Sequence, residues 1–141
     1  MKYFFIACAI IAAVSAQDWK VHSDEELLAI RKLCIEKTKL PAEDVEKLKT
    51  YTYTETMKPY LGCFARETGI WEEATGFNVD RAVKQYKFDL AEDKVREILT
   101  KCINDNKKEG AKAFDYIVPV NKCLQASEIG DKLKAALIKK Q

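Results

Sequence analysis

The chain has 141 residues, 48% hydrophobic and 33% charged, with 24 Lys and Arg against 22 Asp and Glu and a formal net charge of +2. That length suits one domain with a modest core. The near balance of charge, with no tract basic enough to follow phosphates, argues against nucleic acid as the main partner; 5 Gly and 3 Pro are too few for long disordered linkers.

The amino terminus reads as a leader. Met1-Lys2 supplies a positive start and Tyr3 to Val14 an apolar run. Val14-Ser15-Ala16 offers the small residues signal peptidase needs, so cleavage is expected after Ala16. The competing reading, a membrane helix, fails because the run is too short to span a bilayer and polar Gln17-Asp18 follows at once. Residues 1–16 are therefore expected to be a signal peptide and 17–141 a single secreted domain. Cys8 would leave with the leader. No later run is long enough to cross a membrane.

Helical signals dominate the rest. Ser23-Asp24-Glu25-Glu26 is a capping box, after which Leu27, Ile30, Leu33 and Cys34 recur at helical spacing to about Lys39. Pro41 opens a second short helix with Val45 and Leu48 inward. Thr50–Thr56 alternates threonines with Tyr51 and Tyr53; without a partner strand it reads as a loop or helix end with both rings turned inward. A third helix runs from Thr54 or Thr56 to Glu67, with Pro59 in its first turn or at a kink. Gly69 to Phe77 is a connection. Asn78 caps a fourth helix, Val79 to about Phe88. The fifth, Ala91 to about Asn106, turns Val95, Ile98, Leu99 and Cys102 to one face. The sixth is expected from Ala111 to about Ala126, bent at Pro119. Ser127 is expected to cap a terminal seventh with the stripe Ile129, Leu133, Ala136 and Leu137. The fold class is all-α, six to seven short helices with no sheet.

Cys34, Cys63, Cys102 and Cys123 remain in the mature chain. An even set in a small secreted chain reads as two disulfides, and four cysteines allow three pairings. A structural zinc is not expected: no C-x-x-C pair occurs, and the single histidine, His22, precedes the first helix. Catalysis finds little footing either. One histidine cannot supply the usual nucleophile–base pairs beside bonded cysteines, no Gly-rich phosphate loop or HExxH motif occurs, and Glu72-Glu73 reads as a solvated loop. No enzyme activity, cofactor or metal is expected.

Cys63-Phe64-Ala65-Arg66-Glu67-Thr68-Gly69-Ile70-Trp71, followed by Thr75-Gly76-Phe77-Asn78-Val79-Asp80-Arg81, resembles the region after the third cysteine of insect odorant-binding proteins of the PBP/GOBP type. Size, leader and helix pattern extend the resemblance over the mature chain. That family usually has six cysteines, and here Pro59 and Phe114 hold two of their places. Both absent cysteines belong to one bond of the family pattern, so the chain resembles the four-cysteine Minus-C subgroup. The resemblance implies the pairs Cys34–Cys63 and Cys102–Cys123. It also implies a third helix looser against the sixth and a more adaptable pocket.

By the same resemblance, 17–141 is a single helical ligand-binding domain around an internal apolar cavity. It is a secreted carrier of a small apolar ligand: a long-chain alcohol, ester, aldehyde or fatty acid. A membrane receptor is a further partner the resemblance allows, and a monomer or weak homodimer is expected. The expected lining is Leu27, Ile30, Tyr51, Leu61, Ala65, Phe77, Val83, Val95, Leu99, Phe114, Ile117, Val120 and Leu124, with Tyr51 or Tyr53 offering a hydroxyl to a polar head. Phe114 stands where the family has an inward cysteine, so its ring is expected to reshape the cavity. Trp71 either caps the cavity or covers the core. The terminal stripe either covers the pocket or docks elsewhere. Any acid-driven release would have to use carboxylates such as Glu128 or Asp131, since histidine is scarce. The rival reading is a secreted interaction or signalling protein with a solid core that binds its partner through its exterior.

Overall fold

The computed structural model describes residues 18–138. The leader, its cleavage site, Cys8 and residues 139–141 lie outside the described residues, as does the side chain of Leu137. Seven α-helices follow in order: α1 Asp24–Lys37, α2 Ala42–Lys49, α3 Lys58–Glu67, α4 Val79–Tyr86, α5 Glu92–Asn106, α6 Ile117–Gln125 and α7 Glu128–Ile138.

Local chemistry starts several of them. The Ser23 hydroxyl accepts from the Glu26 N–H at 3.2 Å, and the Ser23 N–H donates to the Glu26 carboxylate at 2.7 Å. Two orphan donors of α1 are thereby satisfied. Asn78 Oδ1 accepts from the Arg81 N–H at the head of α4. Ahead of α1, Trp19 Nε1 donates to the Thr68 carbonyl at 2.8 Å, and His22 Nε2 lies 2.9 Å from the same oxygen. These contacts dock the amino-terminal segment on the end of α3.

Asp44 organises the link between α2 and α3. Its carboxylate is buried and accepts from the hydroxyls of Thr54 and Thr56 at 3.3 and 2.6 Å. Glu55–Met57 then forms a 3-10 turn, and Pro59 sits in the first turn of α3, where its missing N–H costs little.

Four expectations need correction. First, a small sheet exists: Trp71–Glu72 (β1) pairs antiparallel with Gly76–Phe77 (β2), Trp71 opposite Phe77. Gly76, at φ +77, supplies the left-handed residue that closes so short a hairpin. Second, α6 begins at Ile117, after a 3-10 turn over Ala113–Tyr116. A helix continuous from Ala111 would place Pro119 in its interior, so the α-helix starts just before the proline and no bend is needed. Third, Leu33 is 45% exposed and does not share the inward face of Cys34. Fourth, the Ser127 hydroxyl donates back to the Leu124 carbonyl at 2.6 Å.

Two disulfides tie the helices: Cys34–Cys63 joins α1 to α3, and Cys102–Cys123 joins α5 to α6. Each removes freedom from the unfolded chain, worth about 3–4 kcal/mol on the entropy model. α6 is the central element, packed on α3, α5 and α7, while α4 lies along α5. The core divides accordingly. Met57, Leu61, Ile117 and Val118 gather around Cys34–Cys63. Val83, Val95, Leu99 and Ile129 gather between α4, α5 and α7. Trp71, Ala113, Tyr116 and Val120 fill the space under the hairpin. No described helix is long and apolar enough to cross a membrane.

Candidate ligand cavity

A cavity of about 190 Å³ opens between α1, α3, α6 and α7. Leu27, Leu28 and Arg31 of α1, with Asp24 at its first turn, form one side. Tyr60, Leu61 and Phe64 of α3 form another, and Asn121, Leu124 and Gln125 of α6 a third. Ile129, Gly130 and Leu133 of α7 contribute a fourth, with Leu48, Tyr51, Tyr53 and Tyr86 completing the lining. A smaller cavity of about 60 Å³ lies behind it, bounded by Ala65, Ile70, Phe77, Val79, Ala82, Leu99, Ile103 and Val120. Leu61, Phe64, Tyr86, Asn121 and Leu124 face both spaces and form the wall between them.

Covalent and steric constraints hold these walls. Cys34–Cys63 ties together α1 and α3, and Cys102–Cys123 anchors α6 next to Leu124. Gly130 lets α7 turn sharply onto the end of α6: a Cβ there would collide with the Gln125 carbonyl. Only glycine permits so close a backbone approach.

The wall of the larger cavity is mostly apolar and carries four phenols. Burial raises the pKa of Tyr51, Tyr53 and Tyr86 above the ordinary tyrosine value and pushes Tyr60 up to about 12. The four hydroxyls therefore stay protonated at neutral pH, each able to donate or accept. The Arg31 guanidinium opposes the shift at Tyr51, Tyr53 and Tyr60, so its positive charge is felt at those three phenols.

Of the residues expected at the lining, Leu27 and Tyr51 border the larger cavity. Ala65, Phe77, Leu99 and Val120 border the smaller, and Leu61 and Leu124 border both. Ile30, Val83, Val95, Phe114 and Ile117 line neither cavity. Val83 and Val95 are spent on the seam between α4 and α5. Ile117 and Ile30 pack around the Cys34–Cys63 bridge. Phe114 lies against Gly62 and, at 6.2 Å between ring centres, beside Trp71. Trp71 covers core, being 2% exposed.

Other lining residues were not among the expected ones: Arg31, Tyr60, Phe64, Tyr86, Asn121, Ile129 and Leu133. Arg31 stands one turn beyond Leu27, a spacing that puts both on one face, yet a lone charge in a helix ordinarily reads as solvated. Ile129 and Leu133 belong to the terminal stripe, for which covering the pocket and docking elsewhere were both open in the sequence. Among the described residues no group of His, Cys, Asp or Glu could hold a metal ion.

Residues 16–127 match the sequence model of the PBP/GOBP family. The chain is also similar to "Odorant-binding protein 22" of Aedes aegypti, with 30% identity over 113 residues that make up 79% of this chain and 81% of that protein. The family match ends just before α7, so the wall formed by Ile129, Gly130 and Leu133 lies beyond it.

Proposed function

The chain belongs to the PBP/GOBP family, and on that premise we propose that it is a secreted carrier. It would solubilise small hydrophobic ligands (odorants, pheromone-like molecules or fatty acids) in its internal cavity for transport through aqueous lymph. The family membership makes it a binding protein and not an enzyme. The observation that carries the carrier reading is the larger cavity, apolar along most of its wall and carrying four phenols. An aliphatic chain leaving water for such a space gains about 0.8 kcal/mol for each buried methylene. Two disulfides in a chain of this size fit an extracellular protein.

The Minus-C subgroup is part of the same proposal. It rests on four cysteines after Ala16 and on Pro59 and Phe114 at the two remaining places. Native mass spectrometry of the secreted, leader-free protein tests the carrier reading, followed by extraction of whatever it holds. A co-purifying small apolar molecule is the expected result. A clean apo mass that stays empty after incubation with lipids and volatiles would overturn it and favour a protein that acts through its exterior.

A further inference from the structure

Arg31 is half-buried on the wall of the larger cavity and makes no hydrogen bond or ion pair to any described residue. A guanidinium drawn partly out of water without a counter-charge is costly, and an acceptor that reaches it relieves that cost. The hydroxyls of Tyr51, Tyr53, Tyr60 and Tyr86 also lack a hydrogen-bond partner among the described residues, though all four side chains line the same space. A cavity wall with its cation and all its phenols uncommitted is arranged for a guest with acceptors of its own.

We propose that Arg31, with the phenols of Tyr51, Tyr53 and Tyr60, clasps the carboxylate of an aliphatic acid whose chain runs along the apolar wall. This rests on the carrier reading and narrows its ligand class. A carboxylate supplies two oxygens that match the planar guanidinium fork, and its further lone pairs can accept from the tyrosine O–H groups. An alcohol offers one oxygen and no charge; an ester offers only weak neutral acceptors. Among the described residues Asp24 is the one carboxylate on the lining. It stands seven residues before Arg31 on α1, roughly 10 Å along the helix axis. Apolar Leu124, Ile129 and Leu133 are left for the chain.

The experiment uses the leader-free protein at neutral pH, with the fluorescent apolar probe N-phenyl-1-naphthylamine displaced by three ligands of equal chain length: lauric acid, lauryl alcohol and methyl laurate. The wild type is expected to prefer the acid by about tenfold or more over the other two, as a charge-assisted pair allows. Arg31→Met is expected to abolish that preference while alcohol and ester affinities stay within about threefold, since only the charged clasp is removed. Equal binding of acid and alcohol by the wild type overturns the clasp and leaves the carrier reading standing. So does an acid preference that survives Arg31→Met. Failure of the wild type to bind the probe or any of the three ligands overturns the carrier reading and the clasp together. If Arg31→Met loses its helical circular dichroism, Tyr53→Phe with Tyr60→Phe decides: a reduced acid preference supports the clasp, and an unchanged one overturns it.

Discussion

The ring of Phe114 lies against the backbone of Gly62 in α3, so close that a Cβ on Gly62 would stand 2.5 Å from Phe114 Cε2. The Lys58 ammonium sits over the Phe114 ring, 4.9 Å from its centre. Phe114 thus grips the first turns of α3 from the 3-10 turn that precedes α6, and Gly62 is what makes room for it. Gly62→Ala is expected to cost about 1–3 kcal/mol through overpacking, read as a lowered thermal midpoint. Combining it with Phe114→Ala should recover part of that loss in a double-mutant cycle, because the clash partner is then gone. Phe114→Ala alone should speed hydrogen exchange in α3 relative to α5. Strictly additive losses, or unchanged exchange, would show that the contact does not hold α3.

Phe64 stands in the wall between the two cavities. Phe64→Ala is expected to join them and move the preferred ligand toward longer chains. Because Phe64 is only partly buried, the stability loss should fall at or below the low end of the 3–5 kcal/mol range for truncating a buried Phe. Displacement assays over a series of chain lengths check this. An unchanged length preference with a normal fold would mean that the smaller space does not take up ligand.

The phenols give the fold an alkaline limit. Burial raises the pKa of Tyr60 from 10.0 to about 12, because the charged form is poorly solvated. The folded state therefore holds the phenolic proton more tightly than the unfolded state. The stabilisation is fully present below pH 10 and is lost as pH rises through about 12. The loss should amount to about 3 kcal/mol at most for this residue. Tyr53 and Tyr86 act in the same direction. Chemical denaturation across that range, with ultraviolet titration of tyrosinate, should show destabilisation beginning near the ordinary tyrosine pKa. Tyr60→Phe should flatten the slope.

Gly130 is the hinge stone of the α7 wall. A Cβ there would meet the Gln125 carbonyl, which is backbone and cannot step aside. Gly130→Ala is expected to cost roughly 2 kcal/mol or more through strain and to shift Ile129 and Leu133 off the cavity. The readouts are a lower thermal midpoint and weaker probe binding. Normal stability and affinity would show that α7 can close the cavity in another register.

The helices were legible because their signals are local. Ser23 with Glu26, Asn78 before Arg81, and the prolines at the heads of α2, α3 and α6 act within one turn of themselves, so a linear reading finds them. The sharpest local miss, the β1–β2 hairpin, came from Gly76, whose left-handed backbone matters only once Trp71 and Phe77 face each other. The lining was half legible. Leu61 and Leu124 lie on inward faces that happen to border a void. Val83 and Val95 lie on equally apolar faces that border one another. Periodicity reports that a face is buried and says nothing of whether protein or empty space lies opposite.

The amino-acid sequence by itself therefore determined the helical class, the helix starts, the cysteine supply and the family resemblance, all of which depend on neighbouring residues or on spacing along the chain. Tertiary structure alone decided that Arg31 and four tyrosines from α1, the α2–α3 link, α3 and α4 converge on one cavity, that Phe114 is committed to Gly62, and that α7 supplies a wall. The physical reason is that a cavity is a property of distances between helices. Those distances are set by two disulfides and by two glycines whose missing side chains let neighbours approach.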